Sequence, residues 1–232
     1  MINLSGKKRV LITGASGEIG TAIATLYRDR QWEVFAHYRL QEPQVPGVTS
    51  IKKELTLPDT GRELVEATKP HLVINCAADQ SVFEIDSDAI HQRSAEMFAL
   101  NVLAPLEIMK AASRANTEVC INISSIEAQR AKKGHALYGA SKAALESLTR
   151  SAALELAPMR VIGLRLGLIS RPGIEESWPE GVRAWIESSP SKRMGTPSEV
   201  ARAVAALASD DFAWTTGSTI DFDGGFNAAP GW

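Results

Sequence analysis

Residues 9–20 read RVLITGASGEIG, and this stretch decides the fold. It begins with a short continuous apolar run, which is typical of a parallel strand buried on both faces. Glycines at 14, 17 and 20 follow at once, and helical spacing of apolar residues then continues to Arg28. Glycine lets the chain turn tightly and approach a pyrophosphate, while the helix N-terminus offers amide donors. The stretch therefore predicts a dinucleotide-binding turn, with a plain strand–helix turn as the alternative.

Strands and helices alternate along the rest of the chain. Apolar runs predict further strands at 34–36, 50–52, 72–75, 119–123, 161–166 and 218–222. Helical spacing predicts helices at 19–28, 60–68, 89–112, 137–156 and 197–208. This order predicts the α/β class: a Rossmann fold with a doubly wound parallel sheet of about seven strands flanked by helices. We expect residues 1–232 to form a single dinucleotide-binding and catalytic domain, with a substrate lid at about 170–197.

The composition restricts the possible partners. Of the 232 residues, 44% are hydrophobic and 22% are charged, with a formal net charge of -2. No charge excess indicates nucleic acid or anionic lipid, so we expect a small-molecule ligand. No apolar stretch is long enough to span a membrane, and the first residues do not resemble a signal peptide. Cys76 and Cys120 lie in apolar strand-like runs as expected for buried free thiols, which favours a cytoplasmic protein.

The end of the second predicted strand bears on the choice of cofactor. In Rossmann sites an acidic residue at this place accepts hydrogen bonds from the ribose hydroxyls and repels a 2′-phosphate. Here the segment 36–39 reads AHYR and contains no acid. Arg39 could instead pair with a phosphate, although a solvent-facing arginine is the alternative. NADP(H) is therefore the preferred cofactor, and NAD(H) stays possible.

Tyr138 and Lys142 are four residues apart on a predicted helix, so their side chains lie on one face. The ordinary pKa of a tyrosine, about 10, is too high for acid–base work near neutrality. A cation about 4 Å away, at an effective dielectric constant of about 20, contributes about 4 kcal/mol and would lower that pKa by up to about three units. We therefore expect Lys142 to make Tyr138 a usable acid and base.

Two further polar residues are candidates for the same site. Ser125 follows the fifth strand, at the sheet edge where open α/β folds bind ligands, and its hydroxyl could hydrogen-bond a carbonyl oxygen. Asn101 lies inside a long predicted helix, where asparagine is unfavourable and needs a reason such as a buried hydrogen bond. By themselves, Ser125 could be a helix cap and Asn101 a structural amide of the core.

Several motifs occur together along the chain. They are ISS at 123–125, YGASK at 138–142, LNV at 100–102, NCAA at 75–78, RMGTPSEVA at 193–201 and TGSTIDFDGG at 216–225. With them the sequence resembles the classical short-chain dehydrogenase/reductases over essentially its whole length. YGASK is similar to the Tyr-x-x-x-Lys motif of that family, and NCAA is similar to its Asn-Asn-Ala-Gly motif.

The resemblance implies a catalytic set of Asn101, Ser125, Tyr138 and Lys142. Tyr138 would protonate the substrate oxygen, Ser125 would position the carbonyl, and Lys142 would hold the nicotinamide ribose. Asn101 would place a water that relays protons. The resemblance also implies a homo-oligomer, a tetramer or dimer. The implied cofactor contacts are Gly14, Ser16, Gly17, Ile19, Gly20, Arg39, Asn75, Ala77, Tyr138, Lys142, Gly167 and Ile169.

The sequence departs from the family pattern in three places. The glycine spacing is that of the extended branch, and Glu18 stands where glycine is usual, beside an expected anionic ligand. Leu166 replaces the proline of the Pro-Gly pair after the sixth strand. Cys76 and Ala78 replace an asparagine and a glycine of the Asn-Asn-Ala-Gly motif.

Three functions stay open from the sequence. The first is NADPH-dependent reduction of a ketone, such as a 3-oxoacyl thioester or a small or specialised-metabolite carbonyl, to a secondary alcohol. The others are epimerisation or dehydration of a nucleotide sugar, and a non-catalytic NADP(H) sensor. Trp178 and Trp185, in the predicted lid, could shape an apolar pocket or pack the lid against the body. His135 is expected at the surface, with a place at the pocket mouth as the alternative. The four histidines are scattered, so no metal site is predicted.

Overall fold

Seven parallel strands form one sheet in the order β3-β2-β1-β4-β5-β6-β7, as shown by a computed structural model that describes residues 6–228. The ends of the expected 1–232 domain, at 1–5 and 229–232, lie outside the described residues. The fold prediction is confirmed. The strands are β1 (Arg9–Thr13), β2 (Glu33–Tyr38), β3 (Thr49–Lys52), β4 (Leu72–Asn75), β5 (Val119–Ser125), β6 (Arg160–Leu166) and β7 (Thr219–Phe222).

Helices cover both faces of the sheet. Within the strands, alternate residues point to opposite faces, so Val10 and Ile12 of β1 join one apolar cluster and Leu11 joins the other. This explains why the strand is apolar without alternation. The helices are α1 (Glu18–Asp29), α2 (Thr60–Thr68), α3 (Ile90–Phe98), α4 (Ala104–Arg114), α5 (Ala136–Glu155), α6 (Ile174–Ser177), α7 (Pro179–Ser188) and α8 (Pro197–Leu207).

The long helix expected at 89–112 is interrupted. A π-helical segment, Ala99–Leu103, separates α3 from α4, so the prediction of one continuous helix is wrong. A π-segment holds one extra residue per turn and commonly occurs at functional sites. Asn101 lies in its centre and is completely buried, so the interruption turns a polar side chain towards the interior of the protein.

The strand order reverses between β1 and β4, because the chain first builds outwards to β3 and then returns to continue on the other side. Open α/β sheets bind ligands at the carboxyl ends of the strands at such a point. A cleft of about 1520 Å³ lies here, lined by residues that follow β1, β2, β4, β5 and β6.

The segment expected as a lid contains α6 and α7. Its two ends lie together, because Ile169 and Gly195 form an isolated parallel bridge, in which the Gly195 amide donates to the Leu168 carbonyl at 3.0 Å. Trp178 and Trp185 of this segment line the cleft. Within residues 6–228, no helix has the length and apolar character needed to cross a membrane.

Candidate active site

The glycine turn after β1 forms a narrow cradle at one end of the cleft. Gly14 has a φ of +66°, in the left-handed region that favours glycine, and a Cβ there would lie 2.7 Å from the Cα of Ala77. A Cβ at Gly20 would overlap the carbonyl oxygen of Gly14. Side chains at these positions would fill the space that a phosphate needs, so the turn fits a dinucleotide.

His37, at the end of β2, fixes this turn and is a residue that the sequence analysis missed. Its Nδ1 accepts a hydrogen bond from the Gly14 amide at 3.3 Å, and its Nε2 lies 3.0 Å from the Lys53 carbonyl, to which it donates. Burial lowers the pKa of this imidazole, while the Lys53 hydrogen bond raises it. The neutral ring is the form that can accept from Gly14. Only the strand pairing, which the sequence does not state, reveals this contact.

Three of the four predicted catalytic residues meet in the middle of the cleft. Ser125 ends β5, and Tyr138 and Lys142 lie on the first two turns of α5. All three line the cleft. The Lys142 ammonium lies 5.7 Å from the centre of the Tyr138 ring and donates a hydrogen bond to the Ile123 carbonyl at 2.8 Å. The helical spacing of four residues therefore brings the phenol and the amine to one site, as expected.

The expectation that Lys142 lowers the pKa of Tyr138 below its ordinary value is wrong. Burial raises the pKa of the Tyr138 phenol above its ordinary value, the Glu127 carboxylate raises it further, and a hydrogen bond from Ser125 lowers it. The physical reason is that loss of water destabilises the phenolate more than the neighbouring groups stabilise it. Tyr138 is therefore fully protonated near neutral pH, which suits a proton donor.

Lys142 is itself affected by burial, which lowers the pKa of its amine to about 8, while Cys76 and Glu146 raise it. The same burial raises the pKa of the Cys76 thiol to about 11, and the nearby Lys142 lowers it. Cys76 is a free thiol, as expected, and lines the cleft. The amine therefore lies in a dry environment beside a neutral thiol.

Asn101 lies behind the catalytic residues and does not line the cleft. Its Oδ1 accepts from the Asp79 amide at 2.8 Å, and its Nδ2 donates to the Asp79 carbonyl at 2.9 Å and to the Ser141 hydroxyl at 3.0 Å. These bonds tie the loop after β4 to α5, because Ser141 also donates to the Tyr138 carbonyl. The side chain of Asn101 positions its neighbours, and the proton relay stays a prediction.

Asn75 is set apart from the other predicted cofactor residues. All the others line the cleft, whereas Asn75 is buried and does not, and its contact with the cofactor stays a prediction. Its Nδ2 donates to Asn122 at 2.8 Å, and Asn122 donates to Thr149 at 2.9 Å. This buried polar chain holds β4 to β5 and α5, while Oδ1 of Asn75 is buried with no hydrogen-bond partner among the described residues.

The cleft carries charges of both signs near the glycine turn and the end of β2. The side chain of Arg39 is 57% exposed, and one of its nitrogens lies 4.0 Å from a Glu54 carboxylate oxygen. An exposed pair at this distance contributes little, so the guanidinium can bind another anion. Glu18 lines the same cleft from the first turn of α1. An arginine and a glutamate of opposite charge therefore line this cleft.

Comparisons with known proteins assign this geometry to a family. Residues 14–227 match the family model described as Enoyl-(Acyl carrier protein) reductase. The L-xylulose reductase of Caenorhabditis elegans is 30% identical over 248 residues, which cover 95% of this chain and 96% of that protein. This chain belongs to the short-chain dehydrogenase/reductase family. It is thus an oxidoreductase that uses NAD(P) and acts on a small-molecule carbonyl or alcohol.

Other short-chain dehydrogenases/reductases agree in extent and shape. The D-erythrulose reductase of Gallus gallus is 29% identical over 238 residues, covering 94% of this chain and 95% of that protein. The ligand-free aldohexose dehydrogenase of Thermoplasma acidophilum is 27% identical, with a TM-score of 0.88 over 97% of this chain and 96% of the other. The resemblance seen in the sequence is confirmed.

An aromatic pair forms part of the cleft wall in this short-chain dehydrogenase/reductase. Trp185 stacks on Phe226, with ring centres 4.4 Å apart and planes 9° apart. The Arg130 guanidinium lies over the Phe226 ring, 5.2 Å from its centre. Its Nε donates a hydrogen bond to Oδ1 of Asn227 at 2.9 Å. Trp185 also fills the space where Gly167 has no side chain. The absence of a side chain at Gly167 thus leaves room for a tryptophan beside the cleft.

The sequence analysis missed Glu127 and gave the pocket only as the alternative place for His135. Both residues line the cleft, and the side chain of His135 is only 14% exposed, so the expected place at the surface is wrong and the alternative fits. They lie eight residues apart, on either side of a loop, and no local motif links them. The short 3₁₀ turn Ile126–Ala128 after β5 brings Glu127 back towards the start of α5.

Proposed function

We propose that this oxidoreductase uses NADPH to reduce a ketone to a secondary alcohol, with Tyr138 as the proton donor. The observation that carries the proposal is the meeting of Ser125, Tyr138 and Lys142 in one cleft with the glycine cradle. A hydroxyl, a phenol and an amine beside a dinucleotide site suit hydride transfer to a carbonyl group. A non-catalytic sensor would not need this set.

NADPH, held by the glycine turn and Lys142, would supply the hydride that the carbonyl carbon accepts. The electron pair of the C=O double bond moves onto the oxygen, and Tyr138 donates its proton to that oxygen. Because burial and the Glu127 carboxylate raise the pKa of the phenol, Tyr138 holds its proton until negative charge develops next to it. The Ser125 hydroxyl hydrogen-bonds the same oxygen and orients the carbonyl.

Lys142 acts on the cofactor side of the tyrosine in this proposal. Its amine, which donates to the Ile123 carbonyl at 2.8 Å, would also donate to the ribose hydroxyls next to the nicotinamide. Its positive charge also stabilises the phenolate that forms when Tyr138 gives up its proton. Asn101 supports both residues by holding α5 through Ser141.

The preference for NADPH rests on Arg39. Its guanidinium follows the strand end that faces the adenosine ribose in Rossmann folds, and Arg binds a phosphate through two parallel hydrogen bonds. The strand end AHYR contains no acid that would repel the phosphate. The weak contact with Glu54 leaves Arg39 available.

The substrate is a small ketone. Relatives with this length are named for ketose substrates, L-xylulose in one and D-erythrulose in another, and small hydroxylated ketones are therefore the first candidates. Apolar 3-oxoacyl thioesters are the class to compare with them.

We also propose that the protein is a homo-oligomer, because apolar side chains are exposed at and near the edge strand β7, among them Trp214 and Ile220.

The test is a fluorescence titration of the purified protein with NADPH and with NADH. Wild type, Arg39→Ala and the exposed control Arg150→Ala are compared, and the tighter cofactor is then used with a panel of ketones. We expect NADPH to bind at least tenfold more tightly than NADH, and Arg39→Ala alone to remove that difference. Absence of binding of either nucleotide, or of turnover of every ketone, would overturn the proposal.

A further inference from the structure

Glu127 and His135 form a pair that the proposed reaction does not use. One carboxylate oxygen of Glu127 lies 2.9 Å from Nδ1 of His135, and the two side chains are only 16% and 14% exposed. The two atoms are buried but not aligned as a hydrogen bond, and neither has another hydrogen-bond partner in the described part of the chain. The contact is therefore a close approach without hydrogen-bond alignment, and both groups keep unused hydrogen-bonding capacity.

The pair lies next to the reacting atoms. Glu127 comes two residues after Ser125, and its charge is close enough to raise the pKa of the Tyr138 phenol. The His135 ring lies across the Tyr138 ring, with centres 6.2 Å apart and planes 83° apart. Both side chains line the same cleft as the phenol. The pair therefore borders the part of the cleft next to the Tyr138 phenol, which in the proposed function contacts the carbonyl oxygen.

The fold itself does not account for the pair. The Glu127 carboxylate has only one further ionic neighbour among residues 6–228, Lys132, at 3.9 Å. Largely buried carboxylates and imidazoles are costly unless they are hydrogen-bonded, and a carboxylate can accept about four hydrogen bonds. The groups that best complete this arrangement are hydroxyls, which donate to a carboxylate and accept from or donate to an imidazole.

We propose that Glu127, together with His135, binds a hydroxyl group on the carbon next to the substrate carbonyl and so selects hydroxyketones over plain ketones. The proposal rests on the proposed function and names its substrate class. A plain alkyl or acyl chain at this place would leave the carboxylate and the imidazole without their hydrogen bonds. Sites built to bind a hydroxyl discriminate strongly against analogues that lack it.

The cations that line the cleft near the pair are already engaged. Lys132, the ionic neighbour of Glu127, also lies 4.1 Å from the centre of the Trp178 ring. Arg130 is held by Phe226 and Asn227. Glu127 and His135 therefore keep hydrogen-bonding capacity for a neutral polyhydroxylated substrate.

The experiment compares erythrulose, a four-carbon hydroxylated ketone, with butan-2-one, the plain ketone of the same length. We expect wild type to show a kcat/KM for erythrulose at least a hundredfold higher than for butan-2-one. Glu127→Gln, which keeps the shape but loses the charge, lowers this ratio about tenfold, and Glu127→Leu lowers it about a hundredfold. His135→Phe lowers the ratio in the same direction. Equal ratios in wild type and Glu127→Leu would overturn the proposal.

The matched control is Glu84→Gln, which removes the same charge from an exposed side chain outside the cleft. We expect its ratio to equal that of wild type. Thermal unfolding of every variant shows that the chain folds. A fall of the ratio in Glu84→Gln equal to that in Glu127→Gln would mean that net charge, rather than the cleft, sets the ratio, and would also overturn the proposal.

A binding measurement separates this inference from the proposed function. Erythritol and butan-2-ol, which NADPH cannot reduce, are titrated calorimetrically into wild type and Glu127→Gln with NADPH present. Tighter binding of erythritol that is lost in Glu127→Gln supports the hydroxyl site even if no ketone turns over. Reduction of both ketones with no preference, and equal binding of both alcohols, overturns the hydroxyl site while leaving the ketone reductase in place.

Discussion

Gly139 packs against the backbone carbonyl of Glu127 so closely that a Cβ at position 139 would lie 2.7 Å from that oxygen. This contact joins α5, which carries Tyr138 and Lys142, to the 3₁₀ turn that follows Ser125. The separation between the serine hydroxyl and the phenol therefore depends on the absence of a side chain at one helical position.

Gly139→Ala should separate these two elements. A methyl group cannot occupy the space of a backbone carbonyl, so the turn has to move, at a cost of about 1–3 kcal/mol in the free energy of unfolding. We expect kcat/KM for ketone reduction to fall at least tenfold. Gly6→Ala is the control, because nothing lies within 4 Å of a Cβ there. Unchanged kinetics in Gly139→Ala would contradict this role of the contact.

Gly20→Ala should act on the cofactor alone. Its Cβ would overlap the Gly14 carbonyl and displace the cradle, whereas Ser125, Tyr138 and Lys142 lie elsewhere in the cleft. We expect the Kd for NADPH to rise at least tenfold and kcat at saturating NADPH to change much less. A variant with the wild-type Kd would show that the turn does not bind the phosphates.

Arg39→Asp should reverse the cofactor preference rather than abolish binding. The aspartate carboxylate would repel a 2′-phosphate and accept hydrogen bonds from the ribose hydroxyls of NADH. We expect the ratio of the NADPH and NADH dissociation constants to change at least a hundredfold towards NADH. The outcome that contradicts the role of Arg39 is a parallel loss of affinity for both nucleotides.

Because of Lys142, the free energy of unfolding should depend on pH in the alkaline range. Its folded pKa, about 8, lies below the ordinary value of 10.5, so between these pH values the unfolded chain binds more protons. The free energy of unfolding therefore rises with pH in this window, by up to about 3 kcal/mol from this group, while below pH 8 the cost of the buried charge is fully present.

Lys142→Met removes this dependence. Urea unfolding of wild type and variant between pH 7 and pH 10.5 should show the difference in free energy changing in favour of wild type as pH rises. Lys7→Met, at an exposed residue, should show no such change. A constant difference between wild type and Lys142→Met would mean that Lys142 is not destabilised by burial.

The strands were predictable because they are buried on both faces. A short apolar run such as Val10–Ile12, ended at once by glycines, indicates a strand. The structure also shows two elements with the bounds that were predicted, the helix Thr60–Thr68 and the strand Leu72–Asn75. The π-segment Ala99–Leu103 was not predicted, because one extra residue in a turn hardly changes the spacing of apolar side chains over a long helix.

The catalytic residues were predictable from spacing, but their environment was not. Four residues on a helix bring Tyr138 and Lys142 together wherever that helix lies. The direction of the Tyr138 pKa shift depends on burial, which only the packed structure gives. Glu127 and His135 meet through a loop, and Asn75 is drawn beneath the cleft by Asn122 on a neighbouring strand. Such contacts between distant segments leave no local pattern in the sequence.

The most direct test of the central claim is Tyr138→Phe, assayed by NADPH oxidation with erythrulose and by NADPH binding. We expect wild type to form one secondary alcohol per NADPH oxidised, and the variant to keep a Kd for NADPH within about threefold while kcat falls about a thousandfold, because only the proton donor is lost. A variant that reduces the ketone at the wild-type rate, or a wild type that binds NADPH and reduces no carbonyl compound, would contradict the account.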